Sequence, residues 1–223
     1  MSASPLPDAV FWDMDGTLVD TEPYWIDAEY ALVEEYGGTW SQELAHELVG
    51  KDLLVSAQLL LANSPVTLSP AAVVESLLGS VVERVASHVP WRPGARELLA
   101  ELGALGVPCA LVTMSWTSLA RVVLEALPPG TFAHVVTGDL VKHGKPHPEP
   151  YLAAAAALGV DPSRCLAIED SATGVQSAVT AGVPTLCIPH TVPVPPMPGV
   201  VQLDTLQGLR ADALTSLFSR RQA

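Results

Sequence analysis

Two carboxylates, Asp13 and Asp15, stand two residues apart in Phe11-Trp12-Asp13-Met14-Asp15-Gly16-Thr17. A short apolar run, Ala9 to Trp12, precedes them and reads as a buried strand. Positions i and i+2 of a strand face the same side, so the two acids converge on one small volume. Gly16 lets the chain turn sharply behind them. Like charges held together away from water need a cation or a shared proton, and oxygen ligands suit Mg²⁺. Asp-x-Asp-Gly also occurs in surface turns and calcium loops. A calcium loop, however, needs further oxygen ligands and a closing Glu in the same dozen residues, and here Leu18 and Val19 follow.

Three more groups of polar residues end apolar runs further along the chain. Thr113, followed by Met114 and Ser115, closes Pro-Cys-Ala-Leu-Val-Thr. Lys145 sits in Lys145-Pro146-His147-Pro148, after His134–Thr137. Glu169-Asp170-Ser171 ends the run that begins at Cys165. Each has a local alternative. Thr113 could cap the next helix, Lys145 could be a solvated loop charge, and Glu169-Asp170 could answer a helix dipole. Their recurrence at four separate strand ends favours one shared site.

The elements that would position these residues alternate. Strands are expected at Ala9–Asp13, Pro108–Thr113, His134–Thr137, Cys165–Glu169, Thr185–Ile188 and Val200–Leu203. Helices are expected at Arg96–Leu105, Ser118–Ala126, Pro150–Leu158, Ala172–Ala181 and Leu206–Phe218. Nearly continuous apolar strands alternating with helices imply a Rossmann-like α/β parallel sheet covered on both faces. In such sheets ligands bind at the carboxyl ends of the strands. Between the first two strands the pattern is helical throughout. Glu22–Tyr36 carries Trp25, Ala28, Leu32 and Val33 at helical spacing and stops at Gly37-Gly38. Ser41–Val49, Leu53–Ala62 and Ser69–His88 follow, with Ser41 and Ser69 as N-caps. Residues 21–88 thus form an all-helical insert, and residues 1–20 with 89–223 form the α/β core. Pro189–Gly199 reads as a surface loop.

The net charge of −13 argues against nucleic acid and anionic membrane as partners. No apolar stretch reaches a membrane-spanning length, and Met1–Asp8 lacks the basic and apolar regions of a signal peptide. Cys109, Cys165 and Cys187 lie in apolar segments without metal-ligand spacing, as buried reduced thiols of a cytoplasmic protein do. A monomer is expected.

The motif set resembles the haloacid dehalogenase superfamily, in the branch of small phosphatases with a helical cap that includes β-phosphoglucomutase-like and phosphoglycolate phosphatase-like members. Its first motif is Asp13-Met14-Asp15-Gly16-Thr17, its second Leu111-Val112-Thr113, its third Lys145-Pro146, and its fourth Ile168-Glu169-Asp170-Ser171 with Gly174 behind it. The insert matches the family's cap in place and length. The resemblance implies a Mg²⁺-dependent phosphatase acting on a small phosphomonoester, a sugar phosphate or similar metabolite, through an aspartyl-phosphate. Asp13 would be the nucleophile and Asp15 the general acid and base. Thr113, a backbone N–H near Met114 or Ser115, and Lys145 would hold phosphate oxygens. Asp13, Asp170 and the Asp15 carbonyl would bind the metal, with Glu169 either a further ligand or an acceptor from metal-bound water.

Two rival functions stay in view. A β-phosphoglucomutase-like phosphomutase carries a His at the cap entry and an Arg beyond a cap Gly. This chain has Trp25 and Leu53 there, and Glu22-Pro23-Tyr24-Trp25 resembles sugar-phosphate phosphatases instead. A receiver-type switch uses similar residues but is about half this length and has no insert. A phosphonate hydrolase needs a cap lysine, and Lys51 is the insert's one candidate. Trp25, Trp40, Lys51 and Trp116 are candidates to touch the leaving group, against a core role for the aromatic rings. Ser115 and Thr117 could touch substrate or cap the following helix.

Overall fold

Every residue of β1 (Val10–Trp12) is apolar and buried, because this strand lies at the centre of the sheet with helices on both faces. In this computed structural model residues 6–219 are described; of the leading segment tested for targeting signals, residues 1–5 lie outside them. After β1 come α1 (Glu22–Glu35), α2 (Gln42–Leu48), α3 (Leu53–Ala62), α4 (Pro70–Ser87) and α5 (Ala95–Ala104). β2 (Cys109–Val112), α6 (Thr117–Glu125), β3 (His134–Val136), α7 (Glu149–Leu158) and β4 (Leu166–Glu169) continue the alternation. The chain ends with α8 (Ala172–Thr180), β5 (Thr185–Cys187), β6 (Val200–Gln202) and α9 (Ala211–Ser219).

The sheet order is β3-β2-β1-β4-β5-β6, and all pairs are parallel. This is the doubly wound order, with its crevice where the chain reverses direction beside β1. Register brings the strand ends level: Trp12 pairs with Leu111 on one side and Ile168 on the other. Alternation then divides the side chains between two faces. Phe11, Ala110, Val112 and Ala167 pack with Tyr151 and Ala154 of α7 and Ala178 of α8. Val10, Trp12, Leu111 and Ile168 face the opposite way, into a larger cluster that is continuous with the apolar side chains of α1, α3 and α4.

The expected elements match those seen to within a residue or two, except the last helix. α9 begins at Ala211 rather than Leu206. Gly208 takes a left-handed φ of 77° there, and the Ala211 N–H is capped by Glu101 at 3.1 Å. Ser41 and Ser69 accept from Leu44 and Ala72 N–H as caps do, at 3.2 and 3.3 Å. All three cysteines are buried and free. Among the described residues no helix is long and apolar enough to cross a membrane.

Four helices and no strand occupy the stretch between β1 and α5. α4 packs against α1 and α3, and also against α6. The chain enters and leaves this stretch through adjoining segments. Val19 forms an antiparallel bridge with Trp91. Asp20 N–H donates to Pro90 O at 2.7 Å and Arg92 N–H to Leu18 O at 3.0 Å.

Gly94, which precedes α5, has φ 85°, and a Cβ on it would lie 2.2 Å from the Leu206 carbonyl oxygen. Gly94→Ala combines left-handed strain with a backbone clash. It is expected to lower unfolding free energy by about 2–4 kcal/mol, read as a reduced midpoint in urea with an unchanged slope.

Candidate active site

Strand β1 ends one residue before Asp13, and the ladder runs on: Asp13 N–H donates to Ile168 O at 3.0 Å. Thr113 N–H likewise donates to Val136 O at 2.9 Å. The sheet hydrogen bonding therefore carries both residues to its carboxyl edge, beside Glu169 at the end of β4. Lys145 arrives from the loop between β3 and α7. That loop is braced by Lys145 N–H on the buried Met114 sulfur at 3.1 Å and by Glu149. Glu149 accepts from the Lys142 and His143 N–H groups at 2.7 and 3.1 Å and pairs with the His143 ring at 2.8 Å.

One ammonium joins the site together. Lys145 Nζ donates to Asp13 Oδ1 at 2.7 Å, Val112 O at 2.8 Å and Glu169 Oε1 at 2.5 Å. These acceptors use its three protons. Although burial opposes the charge, Asp13 and Glu169 hold the Lys145 pKa above its ordinary value. Tyr151 donates its hydroxyl to the same Glu169 oxygen at 2.5 Å. Asp13 Oδ2 is buried with no hydrogen-bond partner.

Asp15 is held differently. Thr21 donates to Oδ1 at 2.5 Å; Ser115 and Thr113 donate to Oδ2 at 2.7 and 3.2 Å. Burial raises its pKa, with a further rise from the Asp13 charge, while the Thr21 and Ser115 hydroxyls pull the other way. The expected phosphate-holding hydroxyl of Thr113 is thus turned onto Asp15, and it also accepts from Ser115 N–H at 3.0 Å. The N–H groups of Met14, Asp15 and Met114 have no acceptor among the described residues.

Asp13, Glu169 and Asp170 bring one carboxylate oxygen each within 4.8 Å of one another. Two glycines admit them. A Cβ on Gly16 would lie 2.0 Å from Asp170 Oδ2, and one on Gly174 2.0 Å from Glu169 Oε2. Burial raises the pKa of Asp170 well above the carboxylate range, with a further rise from the Asp13 charge; Glu169 shifts the same way for the same causes. Three buried carboxyls that share one ammonium leave uncompensated negative charge, which fits a small hard cation. Glu169 has one oxygen already occupied by Lys145 and Tyr151, so the oxygen open to it is Oε2, which accepts a long 3.5 Å bond from Ser171.

Except for Glu169, which lies behind the lining, these groups face one cleft of ≈ 810 Å³, mouth included, closed on the far side by the helical insert. Asp15, Thr113, Met114, Ser115, Lys145 and Asp170 all line it. Of the residues considered for leaving-group contact, Trp25 and Lys51 line the cleft. Trp40 lies behind it, donating its indole N–H to Glu29 at 3.0 Å. Trp116 precedes α6 and packs on the core, and Thr117 bonds Asp139 and Thr137.

Sequence reasoning noted Glu22 only as part of the Glu22-Pro23-Tyr24-Trp25 resemblance and passed over Glu29 of α1 and Ser56 of α3; all three are buried and line the cleft. The signal was present: residues 22, 25, 29 and 32 recur at helical spacing, so both glutamates share the face of Trp25 and Leu32. Burial, reinforced by the neighbouring acids, pushes Glu22 up to about 8, and burial pushes Glu29 up to about 7 against the Trp40 hydrogen bond.

The family model of the haloacid dehalogenase-like hydrolases matches residues 7–182. Protein CbbY of the Cupriavidus necator plasmid is 32% identical over 201 residues, covering 82% of this chain and 78% of that protein. Hexitol phosphatase B of Escherichia coli K12 is 32% identical over 185 residues, covering 81% and 83%. A crystal structure of mutant CbbY from Rhodobacter sphaeroides in complex with xylulose-(1,5)bisphosphate superposes with a TM-score of 0.84 at 25% identity, covering 92% and 96%.

Lys145→Met would strand two carboxyls in the interior. It is expected to destabilise the metal-free protein by about 3–5 kcal/mol, measured by urea unfolding at neutral pH. Glu29 binds its proton more tightly folded, at about 7, than unfolded, at its ordinary 4.5. Its contribution to stability is therefore complete below pH 4.5 and lost as pH rises to about 7. Glu29→Gln removes that dependence. The stability of wild type relative to Glu29→Gln should fall across this interval by on the order of 3 kcal/mol, seen in paired unfolding curves.

Proposed function

The chain belongs to the haloacid dehalogenase-like hydrolases, and on that premise we propose that it is a phosphatase of sugar-phosphate type, working through an aspartyl-phosphate on Asp13. Residues 21–88 act as its cap and the remainder as its catalytic core. Its working unit is a monomer in the cytoplasm, where the free buried thiols of Cys109, Cys165 and Cys187 stay reduced.

The observation that carries the reading is the division of labour between the two oxygens of Asp13. Lys145 occupies Oδ1, while Oδ2 is unpartnered. Oδ2 attacks phosphorus in line, an Oδ2–P bond forms, and the ester P–O bond breaks with its electron pair going to the leaving oxygen. Asp15, whose raised pKa favours the acid form, gives its proton to that oxygen. Asp15 then takes a proton from water as the water oxygen attacks phosphorus. The Oδ2–P bond breaks, inorganic phosphate leaves and Asp13 is restored. During binding the Thr113 and Ser115 hydroxyls exchange Asp15 for phosphate oxygens, which the free Met14, Asp15 and Met114 N–H groups also receive. Mg²⁺ would be held by Asp13, Asp170 and the Asp15 carbonyl, with Glu169 Oε2 as a further ligand or a water acceptor, and would supply charge neutralisation to the phosphoryl group. Trp25 in the cleft, where a mutase would carry its His, supports hydrolysis over intramolecular transfer.

Purified protein with Mg²⁺ should release phosphate from hexitol phosphates over many turnovers. Asp13→Asn should reduce kcat at least about a thousandfold, as loss of a nucleophile does, with Tm shifted by only a few degrees. A chelator should abolish turnover and added Mg²⁺ restore it. A single slow turnover would favour the receiver-type switch, and activity surviving Asp13→Asn would overturn the assignment.

A further inference from the structure

The far wall of the cleft is acidic. Glu22 and Glu29 stand seven residues apart on α1, two turns along one helix face. They are 7% and 4% exposed. Glu29 Oε2 accepts the Trp40 indole N–H at 3.0 Å, and the structure gives Oε1 no partner among the described residues. The Glu22 carboxyl has none at all there, and its charged neighbours, Asp15, Glu29, Asp20 and Asp13, are all acids. Ser56 lines the same space, and its hydroxyl has no partner among the described residues. Polar groups that face a cleft with no protein partner are groups that water completes in the free protein and a ligand's hydroxyls can complete in its place.

Compensating positive charge is scarce. Lys145 has spent its protons on Asp13, Val112 and Glu169. Lys51 is the other cation lining the cleft, it is exposed, and no arginine lines it. Leu48, Val74 and Leu77 supply apolar surface between these polar groups. Carbon faces with hydroxyls pointing outward match such a lining. A second phosphate or a carboxylate does not, because it would be desolvated against two carboxyls with no counter-charge.

We infer that Glu29, positioned by Trp40 and acting with Glu22 and Ser56, is a specificity-determining residue that binds the hydroxyls of an uncharged polyol leaving group and rejects esters whose leaving group is anionic. This rests on the phosphatase reading above. Carboxyls raised towards neutrality suit hydroxyls in either protonation state, since the acid donates and the carboxylate accepts.

The test compares kcat/KM at pH 8 for sorbitol 6-phosphate, phosphoglycolate, a sugar bisphosphate, phosphoethanolamine and p-nitrophenyl phosphate, with Mg²⁺ present. Wild type should prefer sorbitol 6-phosphate to phosphoglycolate and to the bisphosphate by at least tenfold. Glu29→Gln keeps an acceptor for Trp40 and hydroxyl contacts but removes the charge; it should narrow that preference at least threefold. Glu29→Leu should lower the ratio of sorbitol 6-phosphate to p-nitrophenyl phosphate at least tenfold, mainly through KM. If Glu29→Leu does not fold, Glu29→Gln decides alone. Turnover of no ester would sink the phosphatase reading itself. Turnover of p-nitrophenyl phosphate with anionic esters preferred, or with Glu29→Gln leaving all ratios unchanged, would overturn the acidic wall, and a preference for phosphoethanolamine would overturn the polyol assignment; each leaves the phosphatase reading intact.

Discussion

Asp13, Glu169 and the Val112 carbonyl belong to three adjacent strands, and one buried ammonium, Lys145 Nζ, bonds all three. Lys145 is not on the sheet; it comes from the loop beyond β3. Without it, the carboxyl edge of the sheet would hold a cluster of acids whose mutual repulsion and desolvation oppose folding. With it, Asp13 is fixed to one rotamer and Glu169 is neutralised enough to stay within the interior. The geometry of the site and the stability of the sheet edge are therefore one problem with one solution. The solution is incomplete, because Lys145 does not reach Asp170, which accepts a long 3.4 Å bond from Thr17. The same residues that stabilise the edge thus leave a cation-sized deficit.

Around that centre the helical insert contributes chemistry as well as cover. Its α1 face sets Glu22 and Glu29 opposite the strand-end acids, and the Val49–Asp52 turn reaches over the core closely enough that a Cβ on Gly50 would come within 3.1 Å of Ser171. The cleft is consequently acidic on both sides, with hydroxyls rather than cations filling the gaps. This arrangement favours positive or neutral groups throughout, apart from the one spot where free N–H groups cluster near Met14, Asp15 and Met114.

Much of this could be read from residue order. The strand ends carrying Asp13, Thr113 and Glu169 were legible because apolar runs bounded by glycines and helical periodicity define parallel strands well, and parallel register leaves little freedom in which ends meet. Lys145 was legible as part of a motif set, less so from its own surroundings. What order could not supply was side-chain partnership. Thr113 and Ser115 turn to Asp15 because an acceptor lies within reach of both hydroxyls, a fact of rotamers. Glu29 belongs to no motif, and only its place in the Trp25–Leu32 stripe marks it as buried. α9 begins at Ala211 and not at Leu206 because a left-handed Gly208 interrupts an otherwise apolar pattern.

The adjoining ends of the helical stretch have a consequence for how such a chain can vary. Asp20 N–H and Pro90 O are 2.7 Å apart, so the stretch departs and returns at essentially one point. The β1-to-α5 path is already closed by that contact, so the strand order does not depend on the length of what is looped out there, and the insert meets the core mainly through α4 on α6 and the apolar faces of α1 and α3. Exchange of this segment for one of different size would leave the hydrolytic edge in register while presenting a new wall to the reactant. Diversity in what is recognised can then accumulate in one exchangeable module, and the invariant chemistry need not be rebuilt each time.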